Sequence, residues 1–452
     1  GRYDGTSRFM KDQRWNFFPS FSLGWNVARE NFWKPLESVV NQFKLRGSWG
    51  ELGNQNTSNL YPFYEILPVK SNSGNWLVNG GKTNTADIPS LVSTLLTWER
   101  VRSFNVGFDF GAFSNRLTGS FDYFVRKTVD MVGPAPQLPL VLGIAPAIVN
   151  NADMKSYGFE IELSWRDRIG EVDYGVKFNL ADAQQKVVKY PNTTNAFNDW
   201  YAGKMSGEIW GYTSLGIAKT DEEMKEHLAS LPNGGQNQLG NKWGAGDIMY
   251  ADINGDGKVD GGKGTLADPG DQRIIGNSTP RYNFGLVLDA SYKGFDVSIF
   301  FQGVGKRDYA PIVGTNGAVF WGAVNNIWQS MAMEEHFDYF RPEGHPMGAN
   351  LNGYYPRPDF TSNKNHQVQT RYLQDASYIR LKNLQIGYTL PKQWINKLHI
   401  NRCRVYVSGD NLWTGTSLAS MFDPETLAAG DWGSGKTYPL SKVISFGLNV
   451  NF

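Results

Sequence analysis

The chain has 452 residues, and its 44 basic and 43 acidic residues almost cancel, so no net charge attracts it to a nucleic acid. Its single cysteine, Cys403, excludes an internal disulfide bond, and no stretch approaches the roughly 18 consecutive apolar residues that a membrane-spanning helix needs. Aromatic residues make up 14% of the chain and there are 50 glycines, a composition that favours strands, tight turns and amphipathic surfaces.

Apolar residues recur at every second position in many segments, which is the pattern of strands with one apolar face. The first clear segments are the aromatic run at 14–27 and the run at 41–49, followed by a pair at 102–110 and 117–125. The same pattern returns at 159–165, 172–180, 282–288, 295–301, 378–390, 403–407 and 441–452. Together with a fragment at 1–9, it predicts about twelve strands.

One predicted strand is irregular. Between residues 378 and 388 the parity of the apolar positions changes, because Ile379 and Ile386 fall on opposite faces of a regular strand. An extra residue in one strand of an antiparallel pair produces such a change. The sequence therefore predicts a β-bulge near Lys382 or Asn383.

The segments between the predicted strands alternate strictly between short and long. Short links join the strand pairs, for example at 111–116, 166–170 and 292–294. Long connections occur at about 50–98, 127–155, 183–278, 303–371 and 412–440. Outer-membrane β-barrels have short periplasmic turns and long outer loops, so we expect the long connections to be extracellular. A soluble β-sandwich or propeller also has alternating strands, but nothing in those folds sorts connections by length.

Eight runs distributed along the chain carry a resemblance to one protein family. They are WNFFPSFSLGW, FKLRGSWGELGNQ, DINGDGKVD, DQRIIGNSTPRYNFGL, KGFDVSIFFQGVGKRD, ASYIRLKNLQIGYTLP, VYVSGDNLW and SFGLNVNF. Together they resemble the outer-membrane SusC/RagA-like transporters of Bacteroidetes, a branch of the TonB-dependent receptors. The resemblance implies an all-β fold, a transmembrane antiparallel β-barrel of roughly 22 strands. Residues 1–452 would then form its C-terminal half, with about 12 strands, and the plug domain and N-terminal strands would be absent.

The same resemblance implies a function in the bacterial outer membrane that involves no catalysis. The expected activity is active import of a nutrient, either an oligosaccharide or a peptide, energised through TonB. The expected partners are a SusD-like surface lipoprotein, TonB acting through the missing N-terminal part, and the protein's own plug and N-terminal barrel half. The residues alone leave a second hypothesis open, a secreted β-rich protein that binds or hydrolyses carbohydrate.

One motif, DINGDGKVD at 252–260, has the spacing of a loop that binds a hard cation, and we call it the acidic loop. Side-chain oxygens at its first, third, fifth and ninth positions, glycine at the sixth and a backbone carbonyl at the seventh suit Ca²⁺ or Mg²⁺. The twelfth position is Lys263 instead of an acid, so Asp271 or Asp268 would have to fold back to complete the site. The predicted ligands are Asp252, Asn254, Asp256, Lys258 through its carbonyl, Asp260 and Asp271. A loop of Asx turns without an ion is the alternative.

Aromatic residues in the long connections are candidates for contact with the substrate or with the lipoprotein that covers it. They are Trp76, Trp200, Tyr201, Trp210, Trp243, Trp321, Trp328 and Trp432. Their rings suit stacking on sugar faces or on peptide side chains. The alternatives are packing within the loops and, near strand ends, a place in the aromatic girdle of a membrane barrel.

The polar positions of the predicted strands show no catalytic pattern. Glu160 and Glu162 invite comparison with a glycosidase pair, but they alternate within one strand and would line the barrel lumen. The five histidines have no metalloprotease spacing, and the chain contains no serine nucleophile motif. We therefore predict no catalytic residues.

Overall fold

A computed structural model describes most of the chain. The described residues are 1–55, 60–135, 141, 143–144, 146–311, 318–322, 333–359, 363–395, 399–427 and 437–452. One antiparallel sheet of eleven strands dominates them, and we call it the wall sheet. Its strands pair in the order of the sequence, so each strand lies between the one before it and the one after it.

The wall strands are numbered in chain order. They are β1 (Ser20–Asn26), β2 (Val40–Asn54), β3 (Glu99–Ala112), β4 (Leu117–Val132), β5 (Asn150–Ile169), β6 (Val172–Lys189), β7 (Arg281–Tyr292), β8 (Phe295–Lys306), β9 (Tyr378–Thr389), β10 (Arg402–Thr416) and β11 (Val443–Asn451). The predicted fragment at 1–9 is not among them, because Arg2–Gly5 pairs with Trp15–Phe18 in a separate hairpin. Pro19 divides the predicted strand at 14–27, since proline has no backbone N–H for a ladder bond.

Cross-strand pairing sorts the side chains of the wall sheet onto two faces. On the apolar face, Phe108 of β3 pairs with Leu45 of β2 and with Phe121 of β4. On the polar face, the guanidinium of Arg46 donates to Asp109 at 2.9 Å and to Asp122 at 2.8 Å. This alternation is the one predicted from the sequence, and it is the pattern of a sheet that separates lipid from an aqueous interior.

The predicted β-bulge in β9 is confirmed. Leu381 pairs with Trp413 of β10, but the next paired residue of β9 is Asn383, opposite Asp410. Two residues of β10 therefore stand opposite Lys382, so on this side the extra residue is in β10. On the other side, the consecutive residues Phe300 and Phe301 of β8 pair with Asn383 and Leu381. Relative to β8, Lys382 is therefore the extra residue, and its Nζ atom lies 2.7 Å from Glu425 on the polar face.

Connections between neighbouring wall strands alternate in length along the whole sheet. The short ones are 27–39, 113–116, 170–171, 293–294 and 390–401. The long ones are 55–98, 133–149, 190–280, 307–377 and 417–442. Between β7 and β8, Lys293 and Gly294 both have positive φ angles of 45° and 89°, as a two-residue type I′ hairpin turn requires. That the long connections are extracellular stays a prediction.

Smaller elements lie mainly in the long connections. The two-stranded sheets are Arg2–Gly5 with Trp15–Phe18, Val69–Lys70 with Thr85–Ala86, Leu77–Val78 with Gly81–Lys82, Glu208–Gly211 with Arg273–Asn277, Ser214–Ile217 with Ile248–Tyr250, and Asp308–Tyr309 with Gln374–Asp375. The helices are α1 (Asp221–Ala229) and the short Ala318–Trp321 and Lys392–Ile395, with 3-10 turns at Lys11–Gln13, Val27–Arg29, Asn31–Leu36, Glu334–Phe337 and Thr370–Tyr372. In the part of the chain that is described, none of the helices has both the length and the apolar character needed to cross a bilayer.

Candidate functional site

Three long connections, 190–280, 307–377 and 417–442, pack together beside the wall sheet, and we call them the loop assembly. Its core is built largely from aromatic side chains of all three connections. Phe320 is fully buried, and its ring centroid lies 5.3 Å from that of Tyr355 and 5.9 Å from that of Tyr372. Phe422 of the third connection stacks on the same ring at 6.3 Å. The loop assembly therefore has a hydrophobic core of its own.

A buried ion cluster joins the first two connections of the loop assembly. Asp247 is fully buried and accepts hydrogen bonds from Arg357 at 2.6 Å and from the Nζ atom of Lys364 at 2.9 Å. Asn365 donates to the other oxygen of the same carboxylate at 2.9 Å. Lys364 is only 1% exposed, and its ammonium lies 5.1 Å from the ring centroid of Trp243. Since each charge is stable there only with its partners, the cluster fixes the two connections to one another.

A chain of buried hydrogen bonds continues from this cluster into the core. The side chain of Gln236 accepts from the backbone N–H of Tyr250 at 3.0 Å and donates to the carbonyl of Ile248 at 2.8 Å. The hydroxyl of Tyr250 donates to the carbonyl of Lys364 at 2.6 Å and accepts from Gln369 at 3.1 Å. Burial raises the pKa of Tyr250, so the hydroxyl stays protonated as a donor. Such a connected polar network favours one rigid arrangement of the loops.

A second ion cluster attaches the third connection to the wall sheet. Arg380 of β9 donates to Asp423 and to Glu425, each at 2.8 Å, and it is 3% exposed. The bulge residue Lys382 adds two contacts to Glu425. Although burial opposes it, hydrogen bonds from the backbone N–H of Glu425 and from Arg380 lower the pKa of Asp423. The loop assembly is thus fixed to the polar face of the wall.

Three of the candidate aromatic residues lie close together at the start of the loop assembly. The hydroxyl of Tyr201 donates to Glu208 at 2.5 Å, and Trp210 stacks on Phe197 with 4.6 Å between ring centroids. Trp200, which is partly exposed, packs against the ring of Tyr190. Each of the three candidate residues therefore packs against other residues of this part of the loop assembly, and their contact with a substrate stays a prediction.

A cavity of about 230 Å³ opens beside Trp200, between the loop assembly and the ends of β5 and β6. Its wall includes Lys204 and Glu208 as well as the apolar Met154 and Met205. The ammonium of Lys204 donates to three backbone carbonyls at 2.8 to 2.9 Å, and burial lowers the pKa of this group. The cavity thus combines an aromatic ring with fixed polar groups, as small-molecule sites do.

The remaining candidate aromatic residues are separated from this group. Trp243 is partly buried over Lys364, and Trp321 lies in the core of the loop assembly with 2% exposure. The ring of Trp321 packs on His366 at 4.5 Å, so it adds nothing to the accessible surface. Trp328 and Trp432 lie outside the described residues. Trp76 lies before the hairpin strand Leu77–Val78 and is exposed.

The acidic loop is held by backbone hydrogen bonds to its carboxylates. The two oxygens of Asp252 accept from the N–H groups of Gly255 at 2.6 Å and Gly257 at 2.8 Å. Asp271 is fully buried and folds back across the loop, where it accepts from the N–H groups of Ile253 at 2.7 Å and Asp260 at 2.8 Å. Asp271 is therefore placed at the loop, as the proposed twelfth ligand would have to be.

The other candidate ligands turn away from a common centre. Asn254 and Asp256 form Asx-type bonds, in which the N–H of Asp256 donates to Asn254 at 3.0 Å. The ammonium of Lys258 lies 2.5 Å from Asp260, and this hydrogen bond lowers the pKa of Asp260. Among the residues described, no group of three or more His, Cys, Asp or Glu side chains is arranged to hold a metal ion. The oxygen donors suit Ca²⁺ in type, but Asp256 and Asp260 would have to rotate to bind it.

The other two long connections, 55–98 and 133–149, expose many apolar side chains, although Leu96 and Trp98 are buried in a small separate cluster. Tyr64 and Ile66 have exposed fractions of 61% and 68%, and they line an open groove of about 680 Å³ that also includes Leu91. Nothing in the sequence distinguishes these residues from packed ones, because an apolar loop residue is equally consistent with packing. These exposed apolar side chains suit contact with another protein.

Comparisons with known proteins agree with this architecture. A family model described as TonB dependent receptor-like, beta-barrel, matches residues 1–412. The chain is 30% identical to TonB-dependent receptor P3 of Formosa agariphila over 100% of this chain and 43% of that protein. It is 23% identical to TonB-dependent receptor SusC of Bacteroides thetaiotaomicron over 100% of this chain and 41% of that protein. The chain thus spans about two fifths of the length of the curated relatives it matches.

Solved structures show the same fold. The one described as the RagAB peptide transporter has a TM-score of 0.72 and 22% identity, and the match covers 99% of this chain and 44% of that chain. The RagAB peptide importer in the closed-closed state has a TM-score of 0.71 and 22% identity, with 100% of this chain and 45% of that chain covered. At this level of identity the likeness establishes the architecture, in which the wall sheet is part of a barrel.

Proposed function

The chain belongs to the TonB-dependent receptor-like β-barrel family, and from that premise we propose that it serves the active import of a nutrient. The match confirms the predicted fold class, a transmembrane antiparallel β-barrel, and the predicted location in the bacterial outer membrane. It also confirms the resemblance to SusC/RagA-like transporters. The family comprises receptors and transporters, so the hypothesis of a secreted hydrolytic protein does not agree with it.

The observation that carries this proposal is the construction of the loop assembly. Binding residues are commonly held on loops that a rigid scaffold positions. Here the loop assembly has its own hydrophobic core and is joined to the wall sheet by buried ion pairs. Trp200 and the cavity beside it lie where this assembly meets the ends of β5 and β6. We propose an oligosaccharide or a peptide as the nutrient. The description of RagAB as a peptide transporter supports the peptide, and the stacking surface of Trp200 suits either ligand.

The test of this function is nutrient uptake in cells that produce the full receptor. Cells with the receptor should deplete one class of a mixed oligosaccharide and oligopeptide supply, and a proton uncoupler should stop the depletion. Trp200→Ala should reduce uptake at low nutrient concentration. Trp394→Ala is the matched control, because Trp394 is 63% exposed in the short link at the other end of the wall sheet. Equal depletion by cells that lack the receptor would contradict the proposal.

The proposed partners are a SusD-like surface lipoprotein, which would cover the long connections, and TonB, which would act through the remainder of the protein. The exposed apolar patch around Tyr64 and Ile66 supports contact with the lipoprotein, because it is accessible and on the side of the long connections. A double variant, Tyr64→Ser with Ile66→Ser, should reduce recovery of the lipoprotein with the purified receptor. Ile169→Ser, an equally exposed residue at the other end of the sheet, is the control.

We further propose that the acidic loop binds Ca²⁺. Support comes from the ligand spacing and from Asp271, which lies across the loop. Asp256→Asn keeps the Asx-turn geometry but removes a charge from the site, so it should weaken binding without unfolding the loop. Calcium at about 10⁻³ M should protect the wild-type loop from protease and protect the variant less. Identical digestion with and without calcium would instead favour the loop of Asx turns.

A further inference from the structure

Four basic residues occupy directly paired positions on four neighbouring wall strands. Arg102 of β3 pairs with Lys127 of β4, Lys127 pairs with Lys155 of β5, and Lys155 pairs with Lys186 of β6. We call these four residues the cationic row. Like charges directly opposite one another on adjacent strands are destabilising in a sheet. A row of four therefore needs an anion to offset the repulsion.

The cationic row lies on the apolar face of the wall sheet. Lys127 has the same parity along β4 as Phe121, and Arg102 has the same parity along β3 as Phe108. The ammonium of Lys155 lies 5.2 Å from the ring centroid of Tyr157, two residues along the same face. Between Leu117 and the row, the positions of β4 on this face are Gly119, Phe121, Tyr123 and Val125. The row therefore follows directly on the surface that faces lipid.

The depth of the cationic row corresponds to a membrane boundary. The pair Leu117 and Trp165 begins the apolar face near the short links, and the pair Lys127 and Lys155 lies ten residues further along the same two strands. At about 3.3 Å per residue and a strand tilt of roughly 40°, ten residues rise about 25 Å. An apolar band of outer-membrane barrels is also about 25 Å tall. The row thus lies at the level of lipid headgroups, on the side of the long connections.

The regular sheet also ends at this level. In β4 the register shifts between Thr128 and Met131, and in β5 it shifts at Asp153 and Met154. Bulges of this kind are frequent at the rims of barrels, where a strand leaves the membrane. These register shifts therefore mark the same membrane boundary that the length of the apolar face indicates.

Carboxylates of the protein offset only part of the charge of the row. Arg102 forms an ion pair with Glu51 at 2.6 Å, but Lys127 lies 3.9 Å from Asp153. For Lys155 and Lys186, the described part of the chain offers no carboxylate within 4.0 Å. The side chain of Lys127 is 42% exposed, and Lys186 is exposed as well. Two or three ammonium groups therefore remain available to an external anion.

We propose that the cationic row binds anionic phosphate headgroups of membrane lipids in the leaflet on the side of the long connections. Phosphate is the anion that is present at this depth, and lysine ammonium groups bind it as point charges with adaptable geometry. Juxtamembrane lysines near a surface of anionic lipid gain from this attraction. The lipids would hold this part of the barrel, β3 to β6, at a fixed height and would neutralise the opposed charges.

The test uses the full receptor reconstituted in phosphatidylcholine vesicles with a trace of spin-labelled lipid. The fraction of labelled lipid immobilised at the protein is measured for phosphatidylglycerol and for phosphatidylcholine. Wild type should prefer phosphatidylglycerol severalfold, and added salt should weaken the preference. In the variant with Lys127, Lys155 and Lys186 changed to Gln, the immobilised fractions of the two lipids should become nearly equal. The same three residues changed to Arg should retain the preference.

A charge-matched control separates this site from the general charge of the protein. Changing Lys219, Lys225 and Lys263 to Gln removes three exposed positive charges from the loop assembly and should leave the preference intact. If the triple variant of the row does not insert, the double variant at Lys155 and Lys186 replaces it, and it should still lose most of the preference. A wild type without preference, or a row variant that keeps it, would overturn the proposal.

Discussion

The wall sheet and the loop assembly bury their apolar side chains in opposite ways. In the wall sheet, large apolar residues point away from the protein, and Phe446 is 86% exposed. In the loop assembly they point inward, and Phe320 is fully buried among aromatic rings. The wall therefore depends on lipid and on lateral hydrogen bonds, whereas the loop assembly depends on its own packing and buried ions. The comparison implies that the two regions can be destabilised separately.

The largest expected effect is on the loop assembly. Asp247→Ala removes the carboxylate shared by the buried ammonium of Lys364 and the partly exposed guanidinium of Arg357, which should cost about 3–5 kcal/mol, mainly through Lys364. Limited proteolysis of the full receptor in detergent should show faster cleavage within 190–280 and 307–377, while the barrel keeps its resistance to heat. Asp173→Ala, which removes an exposed ion pair with Arg168, is the control and should change little. Melting of the barrel together with the loops would show that the regions are not independent.

The corresponding test of the wall sheet concerns the lipid face. Phe446→Arg should cost about 2–4 kcal/mol near the bilayer midplane and less toward either interface, because arginine replaces an apolar side chain in lipid. Folding of the receptor into vesicles, titrated with denaturant, measures this cost. Asn449 lies on the other face of β11, so Asn449→Leu should be tolerated better. If Phe446→Arg leaves the free energy of folding unchanged and Asn449→Leu lowers it strongly, the assignment of the two faces is reversed.

Sequence reasoning was sufficient for the wall sheet because local pattern determines it. Side-chain parity along each strand follows the environment of its two faces, so the strands, the alternation of connection lengths and the bulge at Lys382 were all predictable. The fragment at 1–9 was misassigned to the wall, since parity alone does not identify the partner of a strand. Its strand, Arg2–Gly5, pairs with Trp15–Phe18 instead.

The loop assembly was not predictable in the same way. Asp247 and Lys364 are separated by 117 residues, and no periodicity in either segment indicates that they meet. Trp321 carried the same sequence features as Trp200, yet the first is enclosed in a core and the second lines a cavity. The glycine-rich residues 261–270 separate Asp271 from the acidic loop in the sequence, so its return to the loop could only be suggested. In the structure Asp271 lies at the loop. Contacts between distant irregular segments are decided by tertiary packing.

A smaller effect is expected where the two regions meet. Glu425→Gln removes a charge that Arg380 and Lys382 share, and hydrogen bonds to charged groups contribute roughly 1.5–3 kcal/mol. Asp423 still holds Arg380, so the connection should loosen and not detach completely. Hydrogen exchange of the amides at 417–427 should become faster, while those of β9 stay protected. Glu222→Gln, on the exposed side of α1, is the control. Unchanged exchange at 417–427 would show that packing alone fixes this connection.

The mildest perturbation is acid, and it should also separate the two regions. None of the five histidines lies in a wall strand, so between about pH 7 and pH 5 histidine titration is confined to the connections. Burial in the loop core lowers the pKa of His366 to about 4. An unfolded histidine titrates near pH 6.5, so below that pH the unfolded chain takes up a proton that the folded loop assembly does not. Its stability should fall by roughly 1.4 kcal/mol per pH unit from about pH 6.5 toward pH 4.

Protease resistance of the loop assembly, measured from about pH 7 to pH 5, tests this expectation. His366→Phe keeps a ring against Trp321 but removes the titration, so most of the acid response should disappear. Some response should remain, because burial also lowers the pKa of His227 in α1. His345→Gln is the control, since that side chain is only half-buried and its ring contacts Tyr339 at the edge of the loop core. If His366→Phe responds to acid as wild type does, the loop core is not the pH-sensitive region. The wall should respond less than the loop assembly over this range, since none of the five histidines lies in a wall strand.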